Sequence, residues 1–180
     1  MPYCVHASPR TSRQGGFTLV EALVTMAVLA VVAAIAVPGF NTVIRGTRVV
    51  NAANMIEDTI AQAQSHARHR RQRINLQRMN CPQADWGCGW IIYPDLNLDN
   101  TQNLPGEATI RVFEMHPSIR IVKNGNPNVL TVSNLGQAQG VGNTTFRIAP
   151  RDAPNVDCRS VTVSSGMRVT VAVGPATCPT

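Results

Sequence analysis

Cys81, Cys88, Cys158 and Cys178 stand in the second half of the chain, with a fifth cysteine, Cys4, near its start. Thiols at such positions serve as metal ligands, nucleophiles or disulfide halves. Six residues separate Cys81 from Cys88, more than the roughly two to four of a zinc knuckle. His66 and His69 are spaced i, i+3, as two ligands on one helix face would be. The neighbouring Arg68, Arg70 and Arg71 would repel a cation, and no Asp or Glu adjoins the pair. Asp95, Asn97 and Asp99 alternate as oxygen ligands do in a calcium loop, but the glycine and the closing glutamate of an EF-hand are missing. No phosphate loop, dinucleotide fingerprint or nucleophile elbow occurs. The sequence therefore calls for no catalytic residue, no metal and no cofactor, and reads as a non-enzyme.

Basic chemistry is denser. Arg68, Arg70, Arg71, Arg73 and Arg78 place five cations within eleven residues. They suit an anion or nucleic-acid patch, or equally a solvated helix end whose cations complement the macrodipole. The whole chain of 180 residues carries 16 basic and 10 acidic side chains, a net charge of +6. That balance is a mild bias toward anionic partners and identifies none of them.

These residues hang on an unusual start. Residues 1–16 are polar and basic, with Arg10, Arg13 and the pair Gly15-Gly16, and show no periodicity. Residues 17–37 then run FTLVEALVTMAVLAVVAAIAV with one charge, Glu21. As a helix this run spans about 30 Å, the thickness of a bilayer core. The small-residue pair precedes the apolar run, the reverse of a secretory signal peptide, so a cut after Gly16 would leave the helix on the mature protein. The basic leader predicts a cytoplasmic N-terminus. A carboxylate inside an apolar span costs about 2.5–3.5 kcal/mol. Glu21 accordingly either pairs with an amine, the new α-amine of Phe17 or a neighbour's, or snorkels to the headgroups.

The string Gly16-Phe17-Thr18-Leu19-Val20-Glu21 and the apolar run behind it closely resemble the processing site of type IV pilins and type II secretion pseudopilins. The resemblance implies that a prepilin peptidase cuts after Gly16 and methylates Phe17. It also implies that Glu21 guides assembly against a neighbouring subunit's amine. Pro38 falls where pilins commonly bend their helix. The implied partners are the peptidase, other major and minor pilin or pseudopilin subunits, and the inner-membrane assembly machinery. The implied location is the bacterial inner membrane, crossed once with the C-terminal domain in the periplasm, and then the pilus or pseudopilus. Removing the leader takes Arg10 and Arg13 with it, which lowers the charge by two to +4. It also removes Cys4 and leaves an even set, which in an exported domain suggests two disulfides. Four cysteines allow three pairings; proximity favours Cys81–Cys88 and Cys158–Cys178.

Apolar residues from Phe40 to Ala67 recur at spacings near three and four, so residues 38–70 read as an amphipathic continuation of the helix. Residues 71–180 read as β-rich. Strands are expected at 73–78, 89–93, 109–115, 119–122, 129–132, 144–148, 160–164 and 168–173, with a hairpin turn at Ser165-Gly166. This part resembles the FimT/GspH type of minor pilin or pseudopilin, through Trp86-Gly87-Cys88-Gly89-Trp90-Ile91-Ile92 and the closing Arg159-Ser160-Val161-Thr162-Val163-Ser164. The implied fold is α+β: a long N-terminal helix packed on antiparallel sheets. The implied function is a minor pilin that helps initiate or cap a type IV pilus. Two alternatives stand beside it, a pseudopilin of a type II secretion system and a DNA-binding minor pilin for transformation. Some FimT-type proteins bind DNA through Gly-Arg-x-Arg; here the stretch is Gly166-Met167-Arg168-Val169, which departs from that pattern and leaves Arg168 to act with Arg159 or with Arg68, Arg70, Arg71 and Arg73.

Overall fold

The computed structural model describes residues 16–125, 128–140, 142–155 and 157–179, without the side chains of Val37 and Pro38. The chain divides into two compact units, Met1–Asn41 and Thr42–Thr180. A single helix, α1 (Leu19–Arg70), contributes to both. Its first half is apolar on every side. Leu23, Val24, Val28, Leu29, Val31, Val32 and Ile35 are all exposed, the pattern of a helix whose solvent is lipid or other helices.

The second half of α1 changes character because its apolar residues fall on one stripe. Val49, Ala52, Ala53, Ile56, Ile60, Ala63 and Ala67 are buried, while Asn51, Asn54 and Asp58 between them are exposed. Four of those seven residues are alanine.

Nine strands follow among the described residues. β1 (Ile74–Arg78), β2 (Trp90–Pro94), β3 (Arg111–Phe113), β5 (Val129–Val132) and β6 (Ala138–Gln139) form one sheet in the order β3-β2-β1-β5-β6. β4 (Ile119–Lys123), β7 (Thr144–Pro150), β8 (Arg159–Val163) and β9 (Val169–Val173) form the other, in the order β4-β7-β8-β9. All pairings are antiparallel, with Leu76 opposite Ile92 and Leu130 in the first sheet, and Ile148 opposite Ile121 in the second. One core takes in the helix stripe and the inner faces of both sheets. The α+β architecture expected from the sequence is the one present.

All eight expected strands occur, displaced at their ends by a residue or two except β3, which keeps three of the seven residues assigned to it. The reason is visible in its neighbours: the loop before it is held by Gln102, which bonds Thr109 Oγ1 and the Glu107 carbonyl. β6 and the short 3-10 turn at Trp86–Cys88 went unread, since two or three residues carry no periodicity. The expected hairpin joins β8 to β9, but the left-handed residue in it is Met167, not Gly166. Burial of the methionine side chain, 6% exposed, holds that turn.

Candidate functional site

Gly16, Phe17 and Thr18 precede the helix in irregular backbone. Apart from its chain neighbours, nothing among the described residues lies within 4 Å of where a Cβ on Gly16 would stand, and Phe17 is 77% exposed. Thr18 is the N-cap: its Oγ1 accepts the Glu21 N–H at 3.2 Å, which satisfies one of the donors a helix start leaves free. Glu21 then sits in the first turn, where its charge favours the positive end of the helix dipole. Thr18-x-x-Glu21 is a capping-box pattern legible in the sequence. The expectation for Glu21 concerned assembly and did not include this place at the helix start. The helix continues through position 38; the Pro38 ring, and with it the expected bend, lies outside the described side chains. Cys4, His6, Arg10 and Arg13 lie outside the described residues.

The cysteines are bonded as Cys81–Cys88 and Cys158–Cys178, the pairing with the shortest loops. The first loop carries Asp85 and Trp86 into the core. Asp85 Oδ1 accepts the Gly87 N–H at 2.7 Å, and its carboxylate meets Arg151 at 3.0 Å. Trp86 then lies edge-on to Phe146 of β7, with ring centroids 5.2 Å apart, and 6.1 Å from Trp90 of β2. The two tryptophans thus join the sheets. The glycines between them have no room for a side chain. A Cβ on Gly87 would stand under 3.0 Å from the Ile119 carbonyl oxygen, and one on Gly89 equally close to that of Phe113. Gly89 also has φ of 96°. The Trp-Gly-Cys-Gly-Trp run is a packing motif.

The carboxylates of the Asp95–Asp99 loop take partners from within the chain. Asp95 Oδ2 receives Arg73 at 2.9 Å, Asn75 Nδ2 at 2.7 Å and the Asn100 N–H at 3.2 Å. Asp99 accepts the Thr101 N–H at 2.7 Å and Asn103 Nδ2 at 2.8 Å; those bonds hold its carboxyl below the usual range. Buried Glu107 accepts the Leu96 and Asn103 N–H groups at 2.7 and 2.8 Å. Among the described residues no group of three metal-ligating side chains forms, His66 and His69 included. Asp95 and Asp99, which resembled a calcium loop, accept from Arg73 and from amide and backbone donors; Asp95 Oδ1 has no hydrogen-bond partner among the described residues. Beside them Tyr93, whose hydroxyl donates to the Asn100 carbonyl at 3.1 Å, is pushed up by burial.

The basic residues separate. Arg68 and Arg70 are exposed on the last turn of α1 and Arg71 just beyond it. Arg73 is largely covered and tied to Asp95 and Asn100, so it leaves the set of free cations. Arg168 is exposed beside the β8–β9 turn, but Met167, at the position where the DNA-binding pattern has its first arginine, points into the core. Lys123, the one lysine among the basic residues, is buried, and burial pushes its amine down to about 8.

An apolar helix behind an accessible glycine, continued by an amphipathic half that packs on two antiparallel sheets, defines a pilin-like assembly subunit. Residues 11–37 match the prokaryotic N-terminal methylation motif and residues 52–171 match the type II transport protein GspH. The chain belongs to this GspH family of minor pilins and pseudopilins. Its fold is similar to that of the Pseudomonas aeruginosa (strain PAO1) type IV minor pilin FimU, with a TM-score of 0.57 and 20% identity over 74% of this chain and 93% of that one. A second crystal form of FimU gives a TM-score of 0.56 at the same identity over 72% and 95%. The minor pseudopilin EpsH of the Vibrio cholerae type 2 secretion system gives 0.51 at 11% identity over 70% and 97%. No curated protein sequence matches the chain.

Proposed function

We propose that a prepilin peptidase cuts this chain between Gly16 and Phe17 and methylates the new terminus, and that the mature subunit then helps initiate or cap a type IV pilus or the related pseudopilus. In this reading residues 1–16 are a leader and 17–37 the membrane and assembly helix. Residues 38–70 continue that helix, and 71–180 form the globular domain on the periplasmic side of the inner membrane. The observation that carries it is the start of α1: an exposed Gly16-Phe17 bond, a Thr18 cap, Glu21 in the first turn and an apolar surface on every side beyond. An all-round apolar helix is stable in lipid and equally stable in a bundle of identical helices. That equivalence is what transfer from membrane to filament requires. Within the bundle the Glu21 carboxylate is desolvated and takes an amine of a neighbouring subunit as partner.

The test is Gly16→Ala in the producing cell. The expected product is the full-length precursor, heavier than the mature subunit by the leader and lacking the methyl group on Phe17. Normal trimming of the variant at Phe17 would overturn the processing assignment.

A further inference from the structure

The end of α1 breaks a conformational rule. Arg71, the first residue past the helix, has φ of 53°, the left-handed conformation that glycine or asparagine ordinarily supplies at a helix end. The Gln72 N–H closes the cap on the Ala67 carbonyl at 3.2 Å. A strained backbone kept at a surface position points to a use for the side chain it carries.

Two clefts meet at that side chain. One has a volume of about 370 Å³ and the other about 420 Å³, and they share Arg71 and Asn134 as walls. Arg68 lines the larger one. Its side chain lies over Gly136, where a Cβ would stand under 3.0 Å from the Arg68 Nε. Gln64 Nε2 ties the same turn to the helix through the Gly136 carbonyl at 3.0 Å. Leu96 and Leu98 flank the first cleft and Leu135 the second; they are 52%, 61% and 69% exposed. Arg73 and Asp95 also line the first cleft, but they neutralise each other. Arg68 and Arg71 form no ion pair among the described residues, which leaves two cations set among three exposed leucines.

We propose that this groove is a docking surface for an acidic, leucine-bearing segment of a neighbouring pilin-like subunit, a proposal that rests on the assembly reading above. Charge complementarity selects carboxylates, which two guanidinium forks bind in bidentate fashion. The leucines select a polypeptide over a nucleic acid, since apolar side chains of the partner cover them and a phosphate backbone does not.

Binding is measured on the full mature chain in detergent micelles, with a short acetylated peptide alternating aspartate and leucine. The same peptide with lysine for aspartate, and a short DNA duplex, serve as comparison probes. The aspartate peptide is expected to bind and the lysine peptide not. Arg68→Gln and Arg71→Gly are each expected to weaken binding about tenfold. Arg71→Gly separates docking from folding, because glycine relieves the left-handed strain and is expected to raise the melting temperature while binding falls. Equal affinity in wild type and both variants, or no binding of the aspartate peptide by wild type, overturns the proposal. So does tighter Arg71-dependent binding of the duplex. Recovery of the wild-type chain in the sheared filament fraction is scored in parallel. Its absence there sinks the assembly reading, whereas its presence together with a failed peptide result sinks the groove alone.

Discussion

Single side chains in this domain are tuned by what surrounds them more than by their type. Lys123 ends β4 with its Nζ donating to the Asn124 carbonyl at 3.2 Å, in the wall of a small cavity of about 130 Å³. Burial moves its amine from an ordinary 10.5 to about 8. Below pH 8 the amine is protonated in both folded and unfolded chains, and the fold bears the full burial penalty. Between pH 8 and 10.5 the folded chain has released the proton and the unfolded chain has not, so stability rises with pH. The rise is at most about 1.4 kcal/mol per pH unit. Denaturant titrations across that window are expected to show it, and Lys123→Met is expected to flatten it. Gly89 gives a second prediction. Its φ of 96° and the nearby Phe113 carbonyl leave no place for a methyl group. Gly89→Ala is expected to cost about 2–4 kcal/mol of unfolding free energy; a change below 0.5 kcal/mol would contradict the packing described.

Between elements, one polar contact fixes the helix to the first sheet. Thr59 is buried mid-helix, donates to the Met55 carbonyl at 2.6 Å and accepts the Trp90 Nε1–H at 3.1 Å. Thr59→Val keeps the shape and strands the indole donor. The expected loss is about 1–3 kcal/mol, measurable as a lowered midpoint with an unchanged denaturant slope. Arg111 to Gln62 at 3.1 Å and Arg48 to Ser118 at 3.2 Å add ties at the helix flanks. The short loop Cys81–Cys88 matters at the same level, because Asp85 and Trp86 sit inside it and Trp86 bridges the sheets.

For the molecule as a whole, the chain divides at Thr42. Every buried core side chain lies at Val49 or beyond, and the all-round apolar surface lies before it. A fragment from Thr42 to Thr180 is therefore expected to be soluble and folded without detergent. Calorimetry checks this, and loss of a cooperative transition would show that the core needs the first unit. The two disulfides close loops with sequence separations of 7 and 20. Reducing each is expected to lower stability by about 2–4 kcal/mol, with the melting temperature of the fragment falling in dithiothreitol.

Periodicity and chemistry that act along the chain were legible without a structure. The Gly16-Phe17 junction, Glu21, the apolar run, the amphipathic stripe to Ala67 and the alternating strands are all local patterns, and local sterics and hydropathy decide them. Tertiary structure decided which cations are free. Arg68, Arg71 and Arg73 look alike in sequence, yet β2 brings Asp95 to Arg73 and leaves the other two beside exposed leucines. It also decided that Met167 is core and that Asp95 pairs with Arg73. The physical reason is that a charge or a methionine acquires its role from the partner that folding brings to it. Arg73 shows it, since its partner Asp95 lies more than twenty residues along the chain.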